Sequence, residues 1–201
     1  MNIHEINVEL FRMINNLGKD FTYLNPVMTF ISEYMVYFLA IGVLVMWFTG
    51  DKRGRMMIIS AGITFITAEI VAEIAGIIHS NHQPFAELAN VNQLIAHEID
   101  NSFPSDHTIL FFSFCSMFYL YCKRSGILWI LLASLVGLSR IWAGVHYPAD
   151  VIAGAAIGIF IALAVYMLVP KWGLMWKLLN LYEKVEQRIL PGKRKQKNIG
   201  N

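Results

Sequence analysis

Residues 127–169 read ILWILLASLVGLSRIWAGVHYPADVIAGAAIGIFIALAVYMLV, two apolar runs joined by one short polar stretch. About 20 apolar residues suffice to cross a bilayer as a helix, and each run approaches or reaches that length. Neither run alternates apolar with polar side chains, which disfavours the strands of a membrane barrel. The ionisable groups gather at the junction, as Arg140, His146 and Asp150. Charge at membrane depth is costly, so a cation, an imidazole and a carboxylate at one boundary point to function.

Outward from this hairpin, residues 26–48, 56–79 and 105–122 form three further apolar runs, giving five expected spans. The whole composition agrees: of 201 residues 56% are hydrophobic and 15% charged, with mean hydropathy +0.51. A soluble domain carries about a quarter of charged residues. The expected fold is therefore all-α, a polytopic membrane helix bundle. The net charge of +2 decides nothing about partners by itself, the placement of the charges deciding more, and nucleic-acid binding is not expected. Cys115 and Cys122 stand seven apart in one run, too far along a helix to bridge, and read as small core residues.

Both ends read as amphipathic helices. Ile3, Ile6, Leu10, Ile14 and Leu17 recur at helical spacing among Glu5, Glu9, Arg12, Lys19 and Asp20. The stretch lacks the continuous apolar core of a secretory signal. It suits a helix lying on the membrane or packed onto the outer end of the bundle. Near the other end Trp172, Met175, Trp176, Leu179, Tyr182 and Ile189 alternate with Lys171, Lys177, Lys184 and Arg188, an interfacial pattern. Residues 1–190 are expected to form one membrane-embedded domain, and 191–201 a solvated basic tail.

Basic residues flanking short loops stay on the cytoplasmic side. Lys52, Arg53 and Arg55 lie between the first two spans, Lys123 and Arg124 between the third and fourth, and eight more follow the fifth. All fall on one side, so the N-terminus is expected outside and the C-terminus inside. The loops carrying the polar motifs then face outward.

The chemistry lies in two stretches, Pro104-Ser105-Asp106-His107 and Ser139-Arg140 followed by His146 and Asp150. A neutral imidazole with one nitrogen held by a hydrogen bond can attack phosphorus, which suits His146. Asp150 is its natural orienter, one turn on, with Pro148 suited to the first turn of the fifth helix. Arg140 offers a forked cation matched to phosphate oxygens. The start of the third span can bind an anion through its leading N–H groups. There Ser105 could cap or bind, and His107 could protonate a leaving oxygen. The catalytic candidates are thus His146, His107 and Asp150, and the substrate-binding candidates Ser105, Asp106, Arg140, Gln83 and Ser139.

These two stretches resemble the second and third signature motifs of the type 2 phosphatidic acid phosphatase superfamily. The Pro-Ser-Asp-His form, the short length and the five spans are similar to bacterial bacitracin-resistance undecaprenyl-diphosphatases. The resemblance implies that His146 forms a phosphohistidine, that Asp150 supports it and that His107 is the acid. It also implies that Ser105 and Arg140 bind phosphate and that the chemistry needs no metal or other cofactor. The expected substrate is a polyprenyl diphosphate lipid, dephosphorylated on the outer face, with bacitracin tolerance as a consequence. Phosphatidylglycerol phosphate or phosphatidic acid is the rival substrate, and a non-catalytic lipid-phosphate binder or translocator the rival class.

The first family motif is degraded. The best alignment sets Gly76 at its lysine and Gln83-Pro84 at its arginine-proline pair, so two phosphate-binding cations are missing. His79, Asn81, His82 or Gln83 could donate instead, and the deficit could be relieved by histidine protonation, Lys19 or a divalent ion brought by the substrate. His79, His82, His97, Glu98 and Asp100 admit a metal-site reading, at spacings that match no strong zinc pattern. Glu69 and Glu73 share a face of the second span and either serve the pocket or bond neighbouring helices; Glu33 in the first span has no evident partner. Gly154 and Gly158 form GxxxG, suited to packing within the bundle or, alternatively, to a homodimer.

Overall fold

The computed structural model describes residues 2–189. Among them the regular structure is entirely helical: α1 (Ile3–Asp20), α2 (Asn25–Thr49), α3 (Lys52–Ile78), the single turn α4 (Pro84–Glu87), α5 (Asp106–Cys122), α6 (Ile127–Trp142), α7 (Pro148–Leu168) and α8 (Gly173–Ile189). The helices begin where local chemistry lets them. Asn2 and Glu5 cap α1 reciprocally, each side chain accepting from the other's backbone N–H at 2.8 and 2.9 Å. Asp51 accepts from Gly54 N at 2.8 Å to start α3, and Pro148 occupies the first turn of α7.

By length and apolar composition, three helical stretches among the described residues can cross a membrane: Thr22–Thr49, Lys52–Ile78 and Pro148–Lys171; Ile127–Trp142 is a shorter apolar helix. α5, with 17 residues, rises about 25 Å. It is the axis of the bundle, packed against α3, α6 and α7, so its length is not set by lipid. Phe111, Cys115, Met117 and Phe118 on α5 are buried among Met56, Ala61, Val136 and Ala162. The outer surface is apolar in its turn, with Phe38, Ile41 and Leu44 on α2, Ile70 and Ile74 on α3, and Phe160 on α7 exposed. That is the inverse of a soluble protein and what hydrocarbon solvent demands.

The glycine pair expected to pack or dimerise is used inside the chain. A Cβ at Gly154 would meet the Ser105 carbonyl and Ile109, and one at Gly158 would meet Phe112, so this face holds α5 and not a second copy.

α1 packs onto the α6–α7 end of the bundle. Phe11 is fully buried against Tyr147, ring centroids 5.5 Å apart. The buried Asn15 side chain donates to Asn92 O and Trp142 O, both at 2.9 Å, and accepts from Asn92 N at 2.9 Å. The Asn7 side chain accepts from Ala149 N at 2.9 Å, satisfying a leading amide of α7. Of the two readings of this segment, docking onto the bundle is the one realised, while Ile3 and Met13 keep an exposed apolar edge.

At the opposite end α8 docks through Leu179 and through Arg55, which is buried and bonded to Trp47 O at 3.0 Å and to Glu186 at 2.8 Å, with Glu183 3.9 Å away. The expected basic tail, 191–201, lies outside the described residues.

Candidate active site

The end of α6, the starts of α5 and α7 and the loop from 79 to 105 converge at one end of the bundle. Ser105 N donates to Asp150 O at 3.2 Å, which joins the start of α5 to the first turn of α7. Gly144 makes the turn between α6 and α7 at φ +83°, a conformation that favours glycine, and it has Val91 and the Asn92 carbonyl pressed against it. This turn carries His146, 6% exposed, back toward α5.

His146 Nδ1 lies 3.0 Å from Ser102 O and 3.1 Å from Ser102 Oγ. The Asp150 carboxylate, 1% exposed, is 3.7 Å from that nitrogen, beyond a hydrogen bond. Asp150 Oδ2 instead accepts from Tyr147 N at 2.8 Å and from Ser102 Oγ at 2.7 Å. The direct His–Asp contact expected from the sequence is thus replaced by a serine bridge. Because a carbonyl can only accept, the pattern assigns the proton to Nδ1 and leaves the Nε2 lone pair bare. Burial lowers the proton affinity of His146 below the ordinary histidine value; Asp150 opposes this, and the Arg140 charge adds to it. Tyr147 is held protonated by burial and by its 2.9 Å bond to Glu87.

A pocket of about 320 Å³ is lined by Glu33, Tyr34, Tyr37, His97, His107 and Arg140, and the ring of its His97 lies 6.4 Å, centroid to centroid, from that of His146. Arg140 is 2% exposed. Its Nη1 donates to Ser32 O and Ser32 Oγ at 3.2 and 2.9 Å, while its Nε, also buried, has no partner. A buried charged donor without an acceptor is expensive, and a bound anion is the natural remedy. Glu33, for which the sequence offered no partner, shares this pocket with Arg140.

The other expected site residues fare differently. Ser105 is buried at the start of α5, and its hydroxyl accepts from Thr108 Oγ1 at 3.1 Å. Asp106 turns to a separate groove of about 610 Å³, shared with Glu69, Glu73, Asn101 and Phe103. Ser139 is fully buried and returns its hydroxyl to Val136 O at 2.7 Å, away from the pocket. Gln83 is fully buried and committed to Asp100: its amide bonds the carboxylate and its oxygen accepts from Asp100 N. The polar atoms of both are claimed elsewhere, those of Ser139 by a carbonyl three residues back and those of Gln83 by Asp100, 17 residues on. Lys19 is likewise spent on Asn16 and on the Asn90 carbonyl.

The supposed metal cluster does not assemble. His79 stacks edge-on against Phe103 at 4.9 Å, His82 bonds Asp100 O at 3.2 Å, and His97 turns into the pocket. Among the described residues no group of three or more His, Cys, Asp or Glu side chains is arranged to hold a metal ion. Ser102 was missed by sequence reasoning: a serine before Phe-Pro is unremarkable, and its partners lie 44 and 48 residues away.

Fold and site together define a helical membrane protein built around a buried histidine beside an arginine pocket. Residues 56–174 match the PAP2 superfamily, and the chain belongs to it. It is 56% identical over 195 residues to the bacitracin transport permease protein BcrC of Bacillus licheniformis, covering 97% of this chain and 96% of that one. It is 32% identical over 156 residues to undecaprenyl-diphosphatase BcrC of Bacillus subtilis (strain 168), covering 78% of this chain and 80% of that one. The solved structure of the first transmembrane PAP2 type phosphatidylglycerolphosphate phosphatase from Bacillus subtilis matches with a TM-score of 0.62 at 22% identity, over 84% of this chain and 87% of that chain, a likeness of fold.

Proposed function

We propose that the protein hydrolyses undecaprenyl diphosphate to undecaprenyl phosphate and inorganic phosphate through a phosphohistidine. The observation that carries this reading is the bare Nε2 of His146, beside a pocket in which the buried Arg140 Nε lacks an acceptor. Nε2 attacks the terminal phosphorus, and the bond from that phosphorus to the bridging oxygen breaks. His107, which lines the same pocket, gives its proton to the departing oxygen. Ser102 and Asp150 hold the imidazole as it becomes cationic, and Arg140 binds the oxygens that carry the charge. In the second half His107 takes a proton from water, which attacks the phosphohistidine, releases phosphate and restores His146.

The site faces outward in this reading, because Lys52, Arg53 and Arg55 mark the opposite end as cytoplasmic. Competition with bacitracin for the same lipid would give tolerance. The name of the 56% identical relative favours a second reading, transport without hydrolysis. A nucleophile with its orienting groups argues for hydrolysis, since binding alone needs neither.

Phosphate release from undecaprenyl diphosphate, phosphatidylglycerol phosphate and phosphatidic acid by detergent-solubilised protein separates these readings. Preference for the diphosphate, unaffected by chelator and reduced by about 10⁴-fold or more in His146→Ala, is expected. Preference for a monoester would keep the mechanism and change the substrate. Release from none of them would leave the transport reading.

A further inference from the structure

The pocket has fewer cations than a diphosphate calls for, and the residues named by the degraded first motif do not supply them. Gly76 has no side chain to offer, Gln83 is tied to Asp100, His82 bonds a backbone carbonyl, and Lys19 holds Asn90. The loop that follows does supply a group. His97 lines the same pocket as His107 and Arg140, and its ring centroid lies 6.4 Å from that of His146. A phosphorus bonded or nearly bonded to Nε2 of His146 would place its oxygens within reach of an imidazole at that separation. We infer that His97 is a phosphate-binding residue, contacting the oxygens of the phosphate under attack in place of a cation absent from positions 76 and 83.

The inference rests on the hydrolytic reading only for the identity of the phosphate; the anion site itself is argued from geometry. His97 Nδ1 lies 2.9 Å from Glu98 O and therefore carries its proton there, which leaves Nε2 as the working nitrogen. Nε2 meets a phosphate oxygen by accepting that oxygen's proton or, once protonated, by donating to it; no proton is created or lost in either case. A second, independent observation points to an anion in this space: Arg140, 98% removed from solvent, has an Nε with no acceptor. The main chain also favours this use of the loop. Ile95 is buried with Ala143 and Val145, and Leu94 N bonds Ala143 O at 3.1 Å, so the segment before His97 is anchored to the turn that carries His146. His97 and the nucleophile are therefore held by one packed unit, although 49 residues separate them in the chain. That is a sound arrangement for a binding residue, which must keep its distance from the attacked phosphorus.

Two measurements test this. In the turnover assay, His97→Ala should raise KM for undecaprenyl diphosphate by about 10- to 100-fold, the worth of one charge-assisted hydrogen bond, with kcat changed much less. His97→Arg should recover most of the loss. In the His146→Ala protein, which cannot turn over, calorimetric binding of inorganic phosphate should weaken by a similar factor on adding His97→Ala. The second measurement needs no catalysis: if the protein hydrolyses no lipid, the proposed reaction falls while the phosphate titration still decides the role of His97. If His97→Ala fails to fold, His97→Gln is read in the same way. Unchanged KM and unchanged phosphate binding in a folded variant would overturn the inference, as would a fall in kcat alone.

Discussion

A single hydroxyl decides how the nucleophile is held. Ser102 Oγ donates to Asp150, its carbonyl accepts from His146 Nδ1, and the carboxylate reaches the imidazole only through this bridge. Ser102→Ala removes the hydroxyl and keeps the carbonyl, so the proton stays on Nδ1 while Asp150 loses a compensating donor. The less compensated carboxylate then raises the proton affinity of His146. In the native protein burial keeps that affinity low, so His146 remains neutral as the pH falls below about 6.5, and the acid limb of kcat/KM lies below that value. The variant is expected to lose about 10- to 100-fold in kcat and to show its acid limb at higher pH, with a melting temperature lower by a few degrees for the lost buried hydrogen bond. A pH–rate profile identical in shape to the parent's would refute a positioning role. Asp150 and His146 were legible in the sequence because a helical turn separates them. Ser102 was not, because its contacts come from a loop whose path local periodicity does not encode.

At the scale of elements, the helices were legible and the joints were not. The apolar run 26–48 falls within one residue of α2 at both ends, and 56–79 within one residue of the end of α3, whose start lies four residues earlier at the basic turn capped by Asp51. How α1 attaches depends on Asn15 reaching Asn92 and on Asn7 reaching Ala149, contacts 77 and 142 residues apart. The turn between α6 and α7 is an exacting joint. Gly144 has φ +83°, and a Cβ there would stand 2.8 Å from Val91 Cγ1 and 2.9 Å from Asn92 O. Gly144→Ala would therefore strain the backbone and separate the turn from the 91–95 loop, at a cost of about 1–3 kcal/mol. Thermal unfolding in detergent should register the loss, and activity should fall further than stability because His146 and the His97 loop lean on this joint. A variant as stable and active as the parent would show that the turn tolerates another conformation.

For the whole molecule, the asymmetry of charge is the argument for an outward-facing site. Arg55 and Lys52 at the start of α3, Lys123 after α5 and Lys171 after α7 all mark the end opposite His146. Arg12 and Lys19, the basic residues of α1, lie at the site's end, where the carbonyls of Ala89 and Asn90 engage them. Cys122, exposed at the end of α5, sits on the basic side, while Cys115 is buried. Ile99, 64% exposed, sits on the loop beside the site. A membrane-impermeant maleimide applied to intact protoplasts is expected to spare the native chain and to react with Cys122 only once the membrane is opened. Ile99→Cys in a Cys122→Ser background is expected to react in both conditions. The reverse pattern would turn the site toward the cytoplasm. Hydrolysis could still proceed there by the same residues, but the lipid would have to be presented from the inner leaflet, and competition with an antibiotic acting outside would no longer follow.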